Sequence, residues 1–452
     1  MDAAQEKYLQ MTQQPVEKLV CRLAVPSILS MMVSAFYNMA DTFFIGKIST
    51  QATGAVGVVF SYMALIQAIG FFFGHGSGNY ISRALGRRQR DSAAVMAANG
   101  FFFCLGCGFV IMAGGFLFMD PMLRALGATE TILPEARAYF RWILLASPVM
   151  MGTFVLNNQM RLQGNARRGM IGVMSGAVLN ILLDPLLIFG FDLGIAGAAI
   201  ATAFSQLVGF CLLVWLSGRG DGLRPALKDF SPSLRAFKEI AAGGLPSLGR
   251  QGLASLATAY LNQAAGVWGD SAIAAFSVVN RITFMAFSAL LGFGQGFQPV
   301  CGFNYGAGLY GRVKKAFWFC VKASFLLLCA MALVGLLFAE PLVAAFRDSD
   351  AQLIEIGARA LRCQALSFPL LGWITMVNMT LQTARKTRQA TIVAISRQGI
   401  VFIPVLFIAT RLWGLWGVIL AQPLSDLFSF FLAIPLARGF LRSLDQPPAQ
   451  TS

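Results

Sequence analysis

Long apolar stretches alternate with short polar connections along almost the whole chain. Twelve such stretches stand out, at 20–46, 54–82, 92–118, 135–160, 168–190, 194–217, 238–264, 272–302, 312–338, 357–380, 388–410 and 414–438. Each reaches or exceeds the ~20 residues an α-helix needs to cross a hydrocarbon core. The pattern therefore predicts an all-α integral membrane protein with twelve spanning helices. The first stretch follows a polar, charged leader, Met1 to Lys18, and lacks a small-residue cleavage site, so it reads as a retained span rather than a signal peptide.

The pattern also repeats. Pro26-Ser27 recurs as Pro246-Ser247, Gly74-His75-Gly76 as Gly294-Gln295-Gly296, and Asp120-Pro121 as Glu340-Pro341, all at a separation of 220 residues. Pro148, Asn157 and Pro185 return as Pro369, Asn378 and Pro404, and Gly194 with Gly197 as Gly414 with Gly417, within a residue of that separation. The expected organisation is a six-helix bundle over residues 1–217, a linker over 218–237 rich in Gly, Pro and basic residues, and a second six-helix bundle with a tail over 238–452. Six is even, so the halves enter the membrane from the same side and are parallel repeats, related by a pseudo-twofold axis along the membrane normal. Two such bundles flanking a central cleft suit alternating access, which a channel or a membrane enzyme does not require.

Composition agrees: 57% hydrophobic against 12% charged residues lies outside globular usage. A net charge of +15 would suggest nucleic acid in a soluble protein, but its placement excludes that reading. Basic residues gather in alternate connections, around Arg83–Arg90, Arg161–Arg168, Arg219–Arg235, Arg312–Lys315 and Arg385–Arg388. The intervening connections are acidic or sparse, around Asp120, Glu130, Asp192, Asp270, Glu340, Asp348 and Asp350. This positive-inside distribution puts both termini on the cytoplasmic side of the membrane. The eight cysteines lie almost entirely in apolar stretches without ligand spacing. They imply neither disulfides nor a metal, and Cys104-x-x-Cys107 lacks the accessible helix start of a redox pair.

Ionisable residues at membrane depth cost roughly 2.5–3.5 kcal/mol each on insertion scales and demand an explanation. Asp41 and Asp184 both fall about 8–10 Å inside the outer boundary, counted at ~1.5 Å per residue. Asn180 precedes Asp184 by one turn, and Thr202 in span six lies at similar depth. Together they offer carboxylate, amide and hydroxyl oxygens, hard donors suited to a proton or Na⁺. The plainer alternatives are capping before Pro185 and interfacial solvation of Asp41. Pro26 removes a backbone hydrogen bond from span one and could let it bend between two states.

The second half replaces these acids: the repeat-mates of Asp41 and Asp184 are Leu261 and Ile403. It carries instead Arg250, Arg281, Arg397 and Asp426 near mid-span, read as buried. Arg397 and Asp426 share a depth and are expected to pair. The set is either a structural ion-pair network or a contact for anionic or zwitterionic substrates in the cleft. His75, the single histidine, and Gly74-x-Gly76-x-Gly78 read as packing features rather than a titrating switch or a nucleotide loop. The 39 Phe and 19 Met residues face lipid or core, some of them lining a broad apolar cavity.

Specific motifs then narrow the class. Phe36-Tyr37-Asn38-Met39-Ala40-Asp41-Thr42 with Ile45-Gly46, Ile81-Ser82-Arg83 with Gly86, and Asn180-Ile181-Leu182-Leu183-Asp184-Pro185 followed by Gly194-Ile195-Ala196-Gly197 resemble the multidrug and toxic compound extrusion (MATE) family. The likeness extends over essentially the whole length and is greatest to bacterial branches with an Asp in span one. It implies a twelve-helix, V-shaped antiporter that expels organic, amphiphilic compounds from the cytoplasm, driven by inward H⁺ or Na⁺. The cation site would map onto Asp41, Asn180, Asp184 and Thr202, and the resemblance alone adds Tyr139 and Asn157. Members with an acid in span seven differ from this chain, whose Ala259–Gln263 contains none.

The expectation is thus a monomeric secondary transporter of small molecules in the lipid bilayer. It would need no cofactor beyond the coupling ion and have no nucleic-acid partner. The same-class alternative is a flippase for lipid-linked precursors. A membrane transferase would need an acidic metal motif or an activated nucleophile, and a channel a filter-like loop; neither is present in the sequence.

Overall fold

A computed structural model describes residues 3–346 and 350–445; Asp348 lies outside them, as do the side chains of Met39, Thr42, Thr50 and Asp270. Every element among the described residues is helical. The first half holds α1 (Ala3–Gln13), α2 (Val16–Gly46), α3 (Thr50–Gly86), α4 (Arg90–Leu117), α5 (Met119–Ala125), α6 (Leu133–Leu162), α7 (Ala166–Pro185) and α8 (Gly194–Ser217). The second holds α9 (Leu234–Gly266), α10 (Asp270–Gly306), α11 (Tyr310–Leu337), α12 (Ala339–Ala344), α13 (Ala351–Thr383), α14 (Thr387–Ile395), α15 (Phe402–Trp413) and α16 (Leu415–Ser443). Wider π-type turns, Leu186–Gly190 and Ser396–Ile400, prolong α7 and join α14 to α15. Among the described residues, eleven helical segments are long and apolar enough to cross a membrane. The 33-residue α9 is long enough as well, but Arg250, Gln251, Asn262 and Gln263 make it more polar.

Helix starts follow local chemistry. Ser49 Oγ accepts from Ala52 N at α3, Ser233 Oγ from Ala236 N at α9, and Asp350 Oδ1 from Leu353 N at α13, at 2.9, 3.1 and 3.0 Å. Outward-facing apolar side chains such as Val110, Leu117 and Leu326, all more than 70% exposed, are stable only where the surrounding solvent is hydrocarbon.

Three differences from the sequence-based expectation concern segment ends. The polar leader forms α1, and α2 begins at Val16 rather than near residue 20. The expected linker loses its last four residues to α9, which starts at Leu234 on its serine cap. The rest is fastened to the first half by its backbone: Asn99 exchanges two hydrogen bonds with Ser231, and Leu223 N donates to Gln163 Oε1, at 2.9–3.0 Å.

The halves meet through their first two helices. The start of α2, from Val16 to Ala24, joins the apolar core of the second half, and Ala236 and Ile240 of α9 join that of the first. Glycine permits the closest approaches. A Cβ on Gly86 would lie 2.2 Å from the Phe303 carbonyl oxygen, and one on Gly306 would lie 2.1 Å from that of Arg83. Gly86 and Gly306, like Arg83 and Phe303, are repeat-mates 220 residues apart, so this reciprocal contact marks the local twofold axis. Arg83 adds a hydrogen bond to the Thr383 carbonyl at 2.6 Å, and Thr383 one to Asn79 at 3.1 Å. All these contacts lie at the end of the molecule that carries both termini.

Toward the other end the halves separate. Among the described residues, a hydrogen bond from Gln251 to Gln67 at 3.4 Å, near mid-length of α9 and α3, joins them farthest from the terminal end. Beyond it Phe36, Phe43 and Phe60 on one side, and Leu256, Tyr260 and Phe284 on the other, are exposed. The cleft is therefore closed at the terminal end and open at the opposite one.

Candidate functional site

Asp41 stands on α2 thirteen residues beyond Ile28, which lies against Gly292 of α10. At ~100° per residue that is a rotation of about 220°, so Asp41 turns away from the cleft toward α7, against which α2 packs. On α7, Asn180 and Asp184 are buried one turn apart. The Asn180 amide donates to Asp184 Oδ1 at 3.2 Å and to Thr202 Oγ on α8 at 3.3 Å. Tyr139, fully buried on α6, turns its hydroxyl toward Thr202 and both acids. The two carboxylates are near enough to repel each other, and no cation among the described residues pairs with either. Asp41 Oδ1, Asp184 Oδ2, Asn180 Oδ1 and Tyr139 Oη are buried without a hydrogen-bond partner among the described residues. Four oxygens without competing nitrogen or sulfur form a donor set for a proton or a small hard cation.

Asp41, Asn180, Asp184, Thr202 and Tyr139 are thus brought together, and Asn157 is not. Its Oδ1 lies 2.7 Å from the position of a Cβ on Gly169, near the terminal end of α7. Gly169 precedes Asn180 by eleven residues, about 16 Å of helix, so Asn157 cannot reach the acids. Sequence reasoning also missed two neighbours. Tyr37, one turn before Asp41, lies near both carboxylates and near Gln206, which lies one turn after Thr202 on α8. Their spacing of four from Asp41 and Thr202 was the available signal.

Pro26 lies inside α2, which stays helical across it, in the closed half of the cleft; Ser27 Oγ donates to the Leu23 carbonyl at 3.1 Å.

In the second half, Arg397 Nε donates to Asp426 Oδ1 at 2.7 Å. Gln422 and Ser367 bond the same carboxylate at 2.9 and 2.8 Å, and the guanidinium lies 4.8 Å from the centre of the Phe287 ring. The π-type turn carrying Arg397 frees its carbonyl, which Ser425 Oγ satisfies at 2.9 Å. Both members of the pair are thus hydrogen-bonded. Arg250 and Arg281 have no hydrogen-bond or ion-pair partner among the described residues. The expectation that Arg281 is buried is corrected: it is exposed. Depth alone misled, because Arg281 lies eleven residues before Gly292 and returns to the same face of α10, which opens on the cleft. Arg250 follows Gly243 by two turns on the face of α9 that meets α3, at the cleft floor.

There the structure adds two residues. Arg161, which reads in sequence as one of the basic connection residues, is only 4% exposed. Its guanidinium contacts His75 Nε2 at 3.0 Å and donates to Asn158 Oδ1 at 2.6 Å. His75 Nδ1 meets Ser247 Oγ of α9 at 3.0 Å, so the histidine joins the halves. Arg161 and Arg250 are close enough to repel one another and surround His75, with Arg161 Nε left without a partner.

A polytopic helical protein with buried polar groups beside a cleft open at one end has the architecture of a membrane transporter. The family model MatE matches the chain twice, over residues 26–186 and 246–408, and its two segments begin at the repeat-mates Pro26 and Pro246. The chain belongs to the MatE family. It is 28% identical over 416 residues to the multidrug export protein MepA of Staphylococcus aureus (strain MRSA252), covering 90% of each chain. Among solved structures, it is similar to a MATE transporter in complex with MaL6, with a TM-score of 0.92, 25% identity and coverage of 97% of this chain and 99% of that one. It is likewise similar to an outward-facing multidrug resistance MATE transporter of the MOP superfamily, with a TM-score of 0.91, 26% identity and the same coverage.

Proposed function

We propose that this membrane protein is an antiporter that exports organic amphiphilic compounds from the cytoplasm in exchange for an inward cation, H⁺ or Na⁺. The observation carrying this reading is the pair Asp41 and Asp184, each with one buried oxygen that has no partner among the described residues, on the side of α2 turned away from the cleft. The ion and the substrate therefore have separate places, on opposite faces of one helix. Ion binding at Asp41, Asn180, Asp184, Thr202 and Tyr139 would remove the repulsion between carboxylates and let α2 and α7 close together. Pro26 then lets α2 bend at the closed end, where α2 packs on α10. Coupling requires that ion and substrate favour different states of the cleft.

The basic connections support a cytoplasmic assignment for the closed, terminal end, in a bacterial inner membrane. The moving units are the first half with most of the linker, and the second half from Leu234 onward, acting within a monomer. Arg161, Arg250 and His75 at the cleft floor, with Arg281 above them, favour substrates that carry an anionic or zwitterionic group beside their apolar part. Uptake of a fluorescent panel into proteoliposomes under pH and Na⁺ gradients imposed separately tests the reading. Transport should follow one of the two gradients, and equal transport with neither gradient refutes it.

A further inference from the structure

A pocket outside the cleft lies at the closed end, between α1, the start of α2 and the turn joining α6 to α7. It encloses about 360 Å³ and is lined by Lys7, Arg22, Arg167 and Arg168, with Leu23 and Pro26 on its apolar wall. Four cations face one nearby carboxylate, that of Asp221, which is 4.0 Å from Lys7 Nζ and 3.4 Å from Arg168. Arg22 and Arg167 have no hydrogen bond or ion pair among the described residues. The Lys7 ammonium is held below its ordinary pKa, first by burial and then by Arg168 and Arg22, against the opposing pull of Asp221. The pocket is thus short of negative charge.

Its upper wall is a strap. Lys7 on α1 donates to the Gly164 carbonyl at 2.6 Å and to Asn165 Oδ1 at 3.0 Å, in the first half. At the other end of α1, the Met11 carbonyl accepts from Asn304 at 3.1 Å and the Gln14 carbonyl from Arg312 at 2.6 Å, in the second half. The strap crosses the junction of the halves, and the pocket lies under its first-half anchor.

We propose that this pocket binds a phosphate-bearing anion, either the head group of an anionic phospholipid or free phosphate, whose charge is taken by Arg22 and Arg167 and which fastens α1 across the closed end. Guanidinium forks match phosphate oxygens. An apolar wall beside basic residues near the start of a spanning helix suits a lipid head group with its first methylenes.

Purified protein exchanged into phosphatidylglycerol and then delipidated is analysed by native mass spectrometry. Wild type should keep one phosphatidylglycerol. Arg22→Gln with Arg167→Gln should lower that occupancy at least about tenfold. Lys228→Gln with Arg388→Gln, which removes two charges elsewhere on the same end, should leave it unchanged. Backbone hydrogen exchange across α1 should slow with the lipid in wild type and not in the site variant. If no lipid is kept but inorganic phosphate slows α1 exchange in wild type alone, the ligand is free phosphate and the site stands. Equal loss in both variants, loss in neither, or no response to lipid and phosphate overturns the proposal. If the double variant does not purify as a single species, Arg167→Glu alone carries the same comparison.

Discussion

The two halves share a scaffold and place opposite chemistry at corresponding points of it. Thr202 and Gln422 are repeat-mates 220 residues apart, as are Gln206 and Asp426, so α8 and α16 both present two polar side chains one turn apart to the interior of their bundle. In the first half these lie beside two acids that no cation pairs with among the described residues. In the second the acid has moved onto α16 itself, where Arg397, Gln422 and Ser367 saturate it. A saturated ion pair has little left to gain from binding anything, whereas an unsaturated carboxylate pair does. Under the function proposed above, the first half is the one that responds to the ion and the second the one that stays as it is.

The largest expected effect tests that division directly. Asp41→Asn and Asp184→Asn should each reduce gradient-driven export in proteoliposomes to background, and undiminished transport by both would dismiss the first-half site. Next comes Asp426→Asn, which strands a buried guanidinium and should cost about 3–5 kcal/mol of stability. Thermal unfolding in detergent would register it, and adding Arg397→Met should recover much of the loss. If Asp426→Asn instead abolished transport at unchanged melting temperature, the second half would have a functional acid after all. A smaller effect is expected from Arg250→Gln: competition by anionic and zwitterionic compounds should weaken by about tenfold, the loss of one charge-assisted contact of ~1.5 kcal/mol, while monovalent cations compete as before. Exclusive competition by cations in the wild type would argue against the basic floor as a substrate contact. The smallest is Asn157→Ala, which should leave the ratio of export to imposed gradient within about twofold; a large change would restore Asn157 to the ion site.

Much of this was legible because depth can be counted. A fixed rise per residue put Asp41, Asp184 and Thr202 at one level, and Arg397 and Asp426 at another, before any packing was known. What counting cannot give is the direction a side chain takes around its helix, which depends on the neighbour each face meets. Arg281 read as buried for that reason. Arg161 was missed for a related one: near the basic connection its position resembles that of Arg167 and Arg168, yet its long side chain reaches inward to His75. Asn157 came from resemblance and failed on length along α7. The helical character of α1 was hidden by its polarity, since its partners, such as Gly164 and Asn304, lie far away in sequence.

The segment between the halves has an engineering consequence. Because Leu223 and Ser231 are hydrogen-bonded to Gln163 and Asn99, most of the linker rides with the first half as ballast. The free joint shrinks to Pro232 and Ser233, just before α9. Inserted residues near Arg219 would then lengthen nothing that moves, whereas one or two added after Ser231 would loosen the lever itself.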